Sequence, residues 1–380
     1  MNQRVLDVEL SGIRKFSNKV SKVPGAISLT LGQPDFPVPK AIKEAMKTAI
    51  DEDKTVYTSN AGILELREEI SNYLSSLDVN YDADEICITV GGSQGLFAVI
   101  MALINQGDKV LIPTPAYPAY ESITKMAGGT VVNYTLNDDF TINIDEIEER
   151  LKDKDIKAIV ISYPCNPTGA VLTKEDRDKL AELLAKHDVK VITDEIYAAL
   201  CYEDKYYSVA QIKELRDKLI YVSGFSKMFS MTGLRLGYVC APKEIMEQVM
   251  KVHQYNVSCA TSMVQYATVV GLRESLDDVE YMRQEFQKRR DYVYSQLKDM
   301  GLEVNCPKGA FYIFPNIKKT GLTSEEFCDR LLNEMKVACV PGSAFGKGGE
   351  GYIRISYSYS MKELQKSLGL LREFIEKIKN

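Results

Sequence analysis

From Glu85 onward, short apolar runs alternate with amphipathic stretches, and this alternation limits the fold more than any other feature of the chain. The runs at 86–90, 109–113, 130–136, 156–162, 190–194 and 219–223 are rich in Ile and Val and read as strands. Between them, 95–105, 117–127, 144–152 and 173–187 read as helices. The last is opened by Thr173 as a cap, with Glu175 and Asp176 in its first turn. Strands that are apolar throughout are buried on both faces, and strands separated by helices pair in parallel. The expected fold is therefore α/β, a large domain with a mostly parallel central sheet flanked by helices.

After Ala241 the pattern changes. A long helix at 279–300 leads into strands at 310–314, 338–340 and 352–356, closed by a helix at 361–378. At the other end, 24–39 is rich in Pro and Gly and reads as extended. A helix from Pro39 to about residue 50 follows, then one carrying Leu64, Leu66, Ile70 and Leu74. A chain of 380 residues has room for a second core. The expected division is a smaller α+β domain drawn from both chain ends, 1–45 and 281–380, around a large domain at 46–280.

Composition excludes several classes. The net charge of −6, with acids and bases interleaved, offers no basic block to nucleic acid or an anionic membrane. The longest apolar run, 96–104, is too short to span a bilayer, and residues 1–20 carry charges throughout instead of a secretory signal's apolar core. Eight cysteines (87, 165, 201, 240, 259, 306, 328 and 339) show no metal or CxxC spacing. Reduced thiols, no metal site and a cytoplasmic location are expected. Only two histidines, His187 and His253, are available for Ser-His-Asp or multi-histidine chemistry.

Five places carry chemistry. Residues 223–238 hold Lys227 in a small-residue turn after one strand and Arg235 in an apolar run, 234–241, that reads as another. A lysine buried there has a lowered pKa and more of the neutral amine that attacks a carbonyl. Gly91-Gly92-Ser93-Gln94 lies between a strand and a helix, where free N–H groups and the helix dipole suit a phosphate. Asn166, in Tyr163-Pro164-Cys165-Asn166-Pro167-Thr168-Gly169, lies where a strand's carboxyl end opens to ligands. Asp194 closes an apolar strand and needs a partner there. Arg354 lies within the apolar strand 352–356, and its fork suits a carboxylate. Each also has a plain reading: a loop lysine, a tight turn, turn chemistry, a helix cap, a structural ion pair. The run 346–351 matches GxGxxG, but a strand and not a helix follows it, so it reads as a loop.

In their order and spacing, Leu31-Gly32-Gln33-Pro34-Asp35, Tyr57, Gly92-Ser93-Gln94, Tyr117, Asn166-Pro167-Thr168-Gly169, Asp194-Glu195-Ile196-Tyr197, Ser226-Lys227, Arg235 and Arg354 form one set. The set resembles the class I/II aminotransferase family of fold-type I enzymes, which depend on pyridoxal 5'-phosphate, over about residues 25–376. The whole chain looks most like the branch acting on aspartate, aromatic amino acids or N-acetyl-diaminopimelate. The resemblance implies that Lys227 holds the cofactor as a Schiff base and then moves the proton at the substrate's α-carbon. It implies that Asp194 pairs with the pyridine nitrogen, that Asn166 and Tyr197 hydrogen-bond the ring's phenolic oxygen, and that Tyr117 stacks on the ring. Gly92, Ser93, Gln94 and Arg235 would bind the phosphate, with Ser223 or Ser226 adding a hydroxyl. Tyr57 would reach the phosphate of a neighbouring subunit, so a homodimer with shared active sites is implied. Arg354 would clamp the substrate α-carboxylate, with Gly32 leaving room beside it and Asn166 near it.

The expected activity is ping-pong transfer of an amino group from an L-amino acid to a 2-oxo acid, 2-oxoglutarate being the expected acceptor. The stretch 257–262 lies where the family lines its substrate pocket. Two positions depart from the family pattern. Gly224 stands where many relatives have serine, and Leu234 stands where Trp is common. A carbon–sulfur β-lyase on the same fold is the near rival, since it needs the same lysine and aspartate. A cofactor-binding regulatory module is the rival of another class, and the chain has no basic helix-turn-helix extension to support it.

Overall fold

The computed structural model describes residues 1–379. Twelve strands run in chain order: β1 (Ile27–Ser28), β2 (Ile86–Thr89), β3 (Lys109–Thr114), β4 (Thr130–Thr135), β5 (Ile156–Ser162), β6 (Lys190–Asp194), β7 (Leu219–Gly224), β8 (Gly237–Cys240), β9 (Tyr312–Ile313), β10 (Val337–Ala338), β11 (Val340–Pro341) and β12 (Ile353–Ser356). Seven form one sheet in the order β2-β8-β7-β6-β5-β3-β4. All neighbours in it are parallel except β8, which is antiparallel to both β2 and β7. β11, β12 and β9 form a small antiparallel sheet, and β1 pairs in parallel with β10.

The apolar strands are buried on both faces because successive side chains point to opposite sides. In β5, Ile159 and Ile161 pack into one cluster while Ala158 and Val160 pack into the other. Helices Gly91–Leu103, Ala119–Ala127 and Lys243–Val257 cover the second face. Helices Leu64–Ser75, Lys174–Ala185 and Ser262–Glu274 cover the first. A separate cluster draws Phe16, Val20 and Leu29 from one chain end and Phe311, Phe327, Leu331, Ile355 and Phe374 from the other. The helix Lys40–Asp51 crosses the expected boundary at residue 45, yet its Ile42 packs in the large sheet's core. The helix Leu276–Asp299 runs between the two cores, with Val279 in the first and Met282, Phe286 and Val293 in the second.

Three local expectations need correcting. Arg235 is not in a strand: it follows the tight turn Thr232–Leu234 with φ 56° and ψ 60°, and β8 begins two residues later. The run 234–241 is apolar because Leu236 and its successors are buried, not because all of them pair. The helix after β2 starts at Gly91, so Gly91-Gly92-Ser93-Gln94 is its first turn and not a linker. The run 338–340 splits at Cys339, so that Val337–Ala338 pairs with β1 and Val340–Pro341 with β12. Among the described residues no helix is long and apolar enough to cross a membrane, and no group of three His, Cys, Asp or Glu could hold a metal.

Candidate active site

A cavity of about 430 Å³ opens where the carboxyl ends of β5 and β6 and the turn after β7 meet β9, β12 and the segment after β1. This is where open parallel sheets bind ligands. Gly32, Gly92, Ser93, Tyr117, Asn166, Asp194, Tyr197, Ser226, Lys227, Arg235 and Arg354 all line it. A larger cleft, of about 610 Å³, lies against the N-terminal segment. Lys15 and Lys19 there are already paired with Glu9 and Asp329.

Lys227 sits on the one-turn helix Phe225–Met228 and donates from Nζ to the Gly32 carbonyl. Burial pushes its pKa down to about 8, and the Arg354 and Arg235 charges push the same way against Asp194. Asp194 ends β6, is buried, and accepts from the Tyr120 hydroxyl at 2.7 Å and from the Ile196 N–H at 3.2 Å. Burial raises its pKa, and the bond from Tyr120 opposes that rise. The two groups face one cavity without an ion pair between them.

At one end Arg235 lies over the first turn of the helix Gly91–Leu103. Gly91 has φ +73°, and a Cβ there would sit 2.4 Å from Arg235 Nη2, so the arginine's approach depends on glycine. Arg235 Nη1 donates to the Thr232 carbonyl at 2.8 Å, and no acid pairs with this guanidinium among the described residues. With the helix's free N–H groups and the hydroxyls of Ser93 and Ser226, it forms an anion cradle.

At the other end Arg354 is 1% exposed. Its Nη1 donates to Asn166 Oδ1 at 2.9 Å and its Nη2 to the Thr30 carbonyl at 2.6 Å, while Nε has no partner. The guanidinium lies 4.3 Å from the Tyr312 ring and 5.0 Å from that of Phe345. Among the described residues no carboxylate pairs with it, so a structural ion pair does not explain it there. A Cβ on Gly32 would meet the Tyr312 hydroxyl at 2.6 Å, so any side chain there would have to displace that hydroxyl.

Four cations, Arg14, Lys227, Arg235 and Arg354, thus line a cavity whose only lining carboxylate among the described residues is Asp194. A ligand with a phosphate, a ring nitrogen to meet Asp194 and a carbonyl to meet Lys227 suits that charge balance, and pyridoxal phosphate has all three. A second carboxylate-bearing molecule suits Arg354.

Three expected residues lie outside the cavity lining. Gln94 turns back, accepting the Val90 N–H at 3.1 Å and facing His253 Nδ1 at 3.2 Å. Ser223 donates to the Glu195 carbonyl at 3.0 Å. Tyr57 is 86% exposed. Sequence reasoning missed Tyr120, Tyr312, Thr30 and Arg14, the last of which lines the cavity from the helix Gly12–Val20. It also missed what Glu195 does. That carboxyl is buried, takes hydroxyl donors from Thr193 and Ser208, and is raised by burial to about 8. The signal available for Tyr312 was a hydroxyl inside the otherwise apolar run 310–314.

The sequence matches the family described as aminotransferase class I and II over residues 24–371. The chain belongs to that family. It is 46% identical over 380 residues to the probable N-acetyl-LL-diaminopimelate aminotransferase of Bacillus subtilis, covering 99% of this chain and 96% of that one. It is 43% identical over 387 residues to the aspartate aminotransferase of Pyrococcus abyssi, covering 100% and 99%. Its fold superposes with a TM-score of 0.91 on the crystal structure of the aromatic aminotransferase from Pyrococcus horikoshii, at 42% identity, covering 96% and 99%. The chain is a pyridoxal-phosphate-dependent aminotransferase. The carbon–sulfur lyase alternative fits it less well.

Proposed function

We propose that the cavity between the two cores is the active site of a ping-pong amino-acid aminotransferase, and the observation that carries this reading is Lys227 and Asp194 facing one cavity with two arginines that no acid pairs. The cofactor, when bound, supplies an aldehyde carbon and an electron-accepting ring. Lys227 holds that carbon and, once released, takes and returns the proton at the substrate's α-carbon. Asp194 keeps a proton on the ring nitrogen. Asn166 and Tyr197 hydrogen-bond the phenolic oxygen, and Tyr117 packs on the ring. Arg235, Ser93 and the N–H groups at Gly92 and Gln94 hold the phosphate. Of the two candidate serines, Ser226 opens to the cavity and Ser223 is engaged elsewhere, which favours Ser226. Arg354 takes the substrate carboxylate.

The protein works as a cytoplasmic homodimer in this reading. Tyr57 lies outside its own cavity beside exposed Val56, and Asn60 ties its loop to the Ser258 carbonyl at 2.6 Å, near exposed Tyr255. A second copy explains both the exposure and the expected phosphate contact. Sedimentation should find a dimer, and a monomer that turns over at full rate would remove Tyr57 from the site. We place the domain boundary just before the helix Lys40–Asp51, because Ile42 belongs to the larger core.

The acceptor is a dicarboxylic oxo acid such as 2-oxoglutarate. Arg14 supports this: it lines the cavity and is exposed, with no acidic partner among the described residues. The test is the absorbance of the purified holoprotein during addition of single amino acids without an oxo acid. The visible band should collapse with the true donors. Arg14→Gln should lower kcat/KM for dicarboxylic substrates about tenfold, the worth of one charge-assisted pair, and leave aromatic donors nearly unchanged. Equal loss for both classes would place the side-chain carboxylate elsewhere. A protein that stays colourless with added pyridoxal phosphate would overturn the site.

A further inference from the structure

Tyr312 has no role among those given above, yet it touches two residues that do. Its hydroxyl lies 2.8 Å from the Tyr197 hydroxyl, and its ring lies 4.3 Å from the Arg354 guanidinium. The two tyrosine rings meet edge to face, with centroids 5.7 Å apart. Both are buried. A tyrosine hydroxyl has one proton to donate. Arg354 has only donors to offer, and its Nη1 and Nη2 are committed to Asn166 and Thr30. The Gly32 carbonyl nearby takes the Lys227 amine. Among the described residues the Tyr197 hydroxyl is the one hydrogen-bond partner of the Tyr312 hydroxyl, and either oxygen can be the donor.

We propose that Tyr312 is a positioning residue: it donates to the Tyr197 oxygen and so turns the Tyr197 proton into the cavity, toward the phenolic oxygen of the cofactor. This rests on the assignment of the cavity as the cofactor site. The buried cation across the Tyr312 ring strengthens the effect, because a positive charge makes a phenol a better donor. The Arg354 charge accordingly lowers the Tyr312 pKa against the rise that burial causes. Tyr312 thereby links the carboxylate clamp to the group that tunes the cofactor. The link runs beside the direct bond from Arg354 to Asn166.

The readout is the pH titration of the holoprotein's visible band, which reports the proton on the cofactor-linked Lys227 nitrogen. A hydrogen bond to the phenolic oxygen withdraws charge from it and favours loss of that proton, so removing the donor raises the midpoint. Tyr312→Phe keeps the ring over Arg354 and removes only the hydroxyl. Its midpoint should rise by about half a pH unit, the effect of one neutral hydrogen bond acting at one remove. Tyr197→Phe should raise it further. Adding Tyr312→Phe to Tyr197→Phe should then change nothing, because the bond that transmits the effect is gone.

Besides Tyr197, which the test itself varies, the charged and titratable groups that face Lys227 and Tyr312, namely Arg354, Arg235, Asp194 and Tyr117, are the same in every variant. Circular dichroism checks that each variant is folded. An unmoved midpoint in Tyr312→Phe, or an equal shift with and without the Tyr197 hydroxyl, overturns the proposal while leaving the site intact. A wild-type protein with no visible band overturns the site assignment, and this proposal with it.

Discussion

Lys227→Ala should abolish transamination, with turnover falling by ~10⁴-fold or more, because in the proposed reading one side chain supplies both the amine that holds the cofactor and the base that moves the proton. The prediction starts from how the side chain is held. Lys227 stands just after a buried strand, on a helix of four residues, and among the described residues its one hydrogen bond is to the Gly32 carbonyl. Losing it removes no core contact of the kind that Phe225 or Met228 makes, so the variant should fold. What it loses is an amine tuned for attack. With a pKa near 8, about a tenth of the lysine is neutral at pH 7, against roughly one part in three thousand for an ordinary lysine. The neutral fraction grows as pH rises through 8. The check pairs turnover with the absorbance spectrum: the variant should lack the wild type's visible band while its circular dichroism matches. Turnover above a few per cent of wild type, with the band intact, would move the central role to another residue.

Lys227 was legible in the sequence for the same reason that Asp194, Asn166 and Arg354 were: a charged or amide side chain in an apolar stretch has to meet something. The strands were legible where burial on both faces made them uniformly apolar. The runs at 156–162 and 190–194 coincide with β5 and β6. Legibility failed where tertiary contact, not local pattern, decides. β9 is only two residues long within the apolar run 310–314, because that run is buried along its length but paired over a short stretch. Arg235 sits in a left-handed conformation that composition does not announce. Gln94 was expected to face a phosphate, yet its amide turns toward His253, a residue on a helix far along the chain. Tyr120 and Tyr312 are buried aromatics that the sequence reading did not single out. Only their hydroxyl partners, Asp194 and Tyr197, reveal that they support the site, and those partners are distant in sequence. Arg14 reaches the cavity only through the fold, from the helix Gly12–Val20.

Asp194→Ala should keep the fold and the lysine but lose about 10³-fold in kcat, the scale on which preorganised electrostatic groups act in a site closed to water. Asp194 is buried at the bottom of the cavity, where burial alone raises its pKa. It stays useful as an anion because Tyr120 and the Ile196 N–H donate to it, and because a protonated ring nitrogen would give it the cation that the protein itself does not pair with it. In the proposed reading alanine removes the charge that would keep that nitrogen protonated, so electrons released at the substrate's α-carbon would be less well accepted. Asp194 makes no hydrogen bond to Arg354, the proposed carboxylate clamp, which donates to Asn166 and Thr30. The loss should therefore fall on kcat, with KM for amino donors nearly constant at saturating pyridoxal phosphate. Single-turnover absorbance at several donor concentrations separates the two. A near-normal kcat would show that another group holds the nitrogen's proton. A loss confined to KM would mean that Asp194 serves substrate binding, a role argued against by its hydrogen bonds, which come from Tyr120 and the Ile196 N–H and not from Arg354.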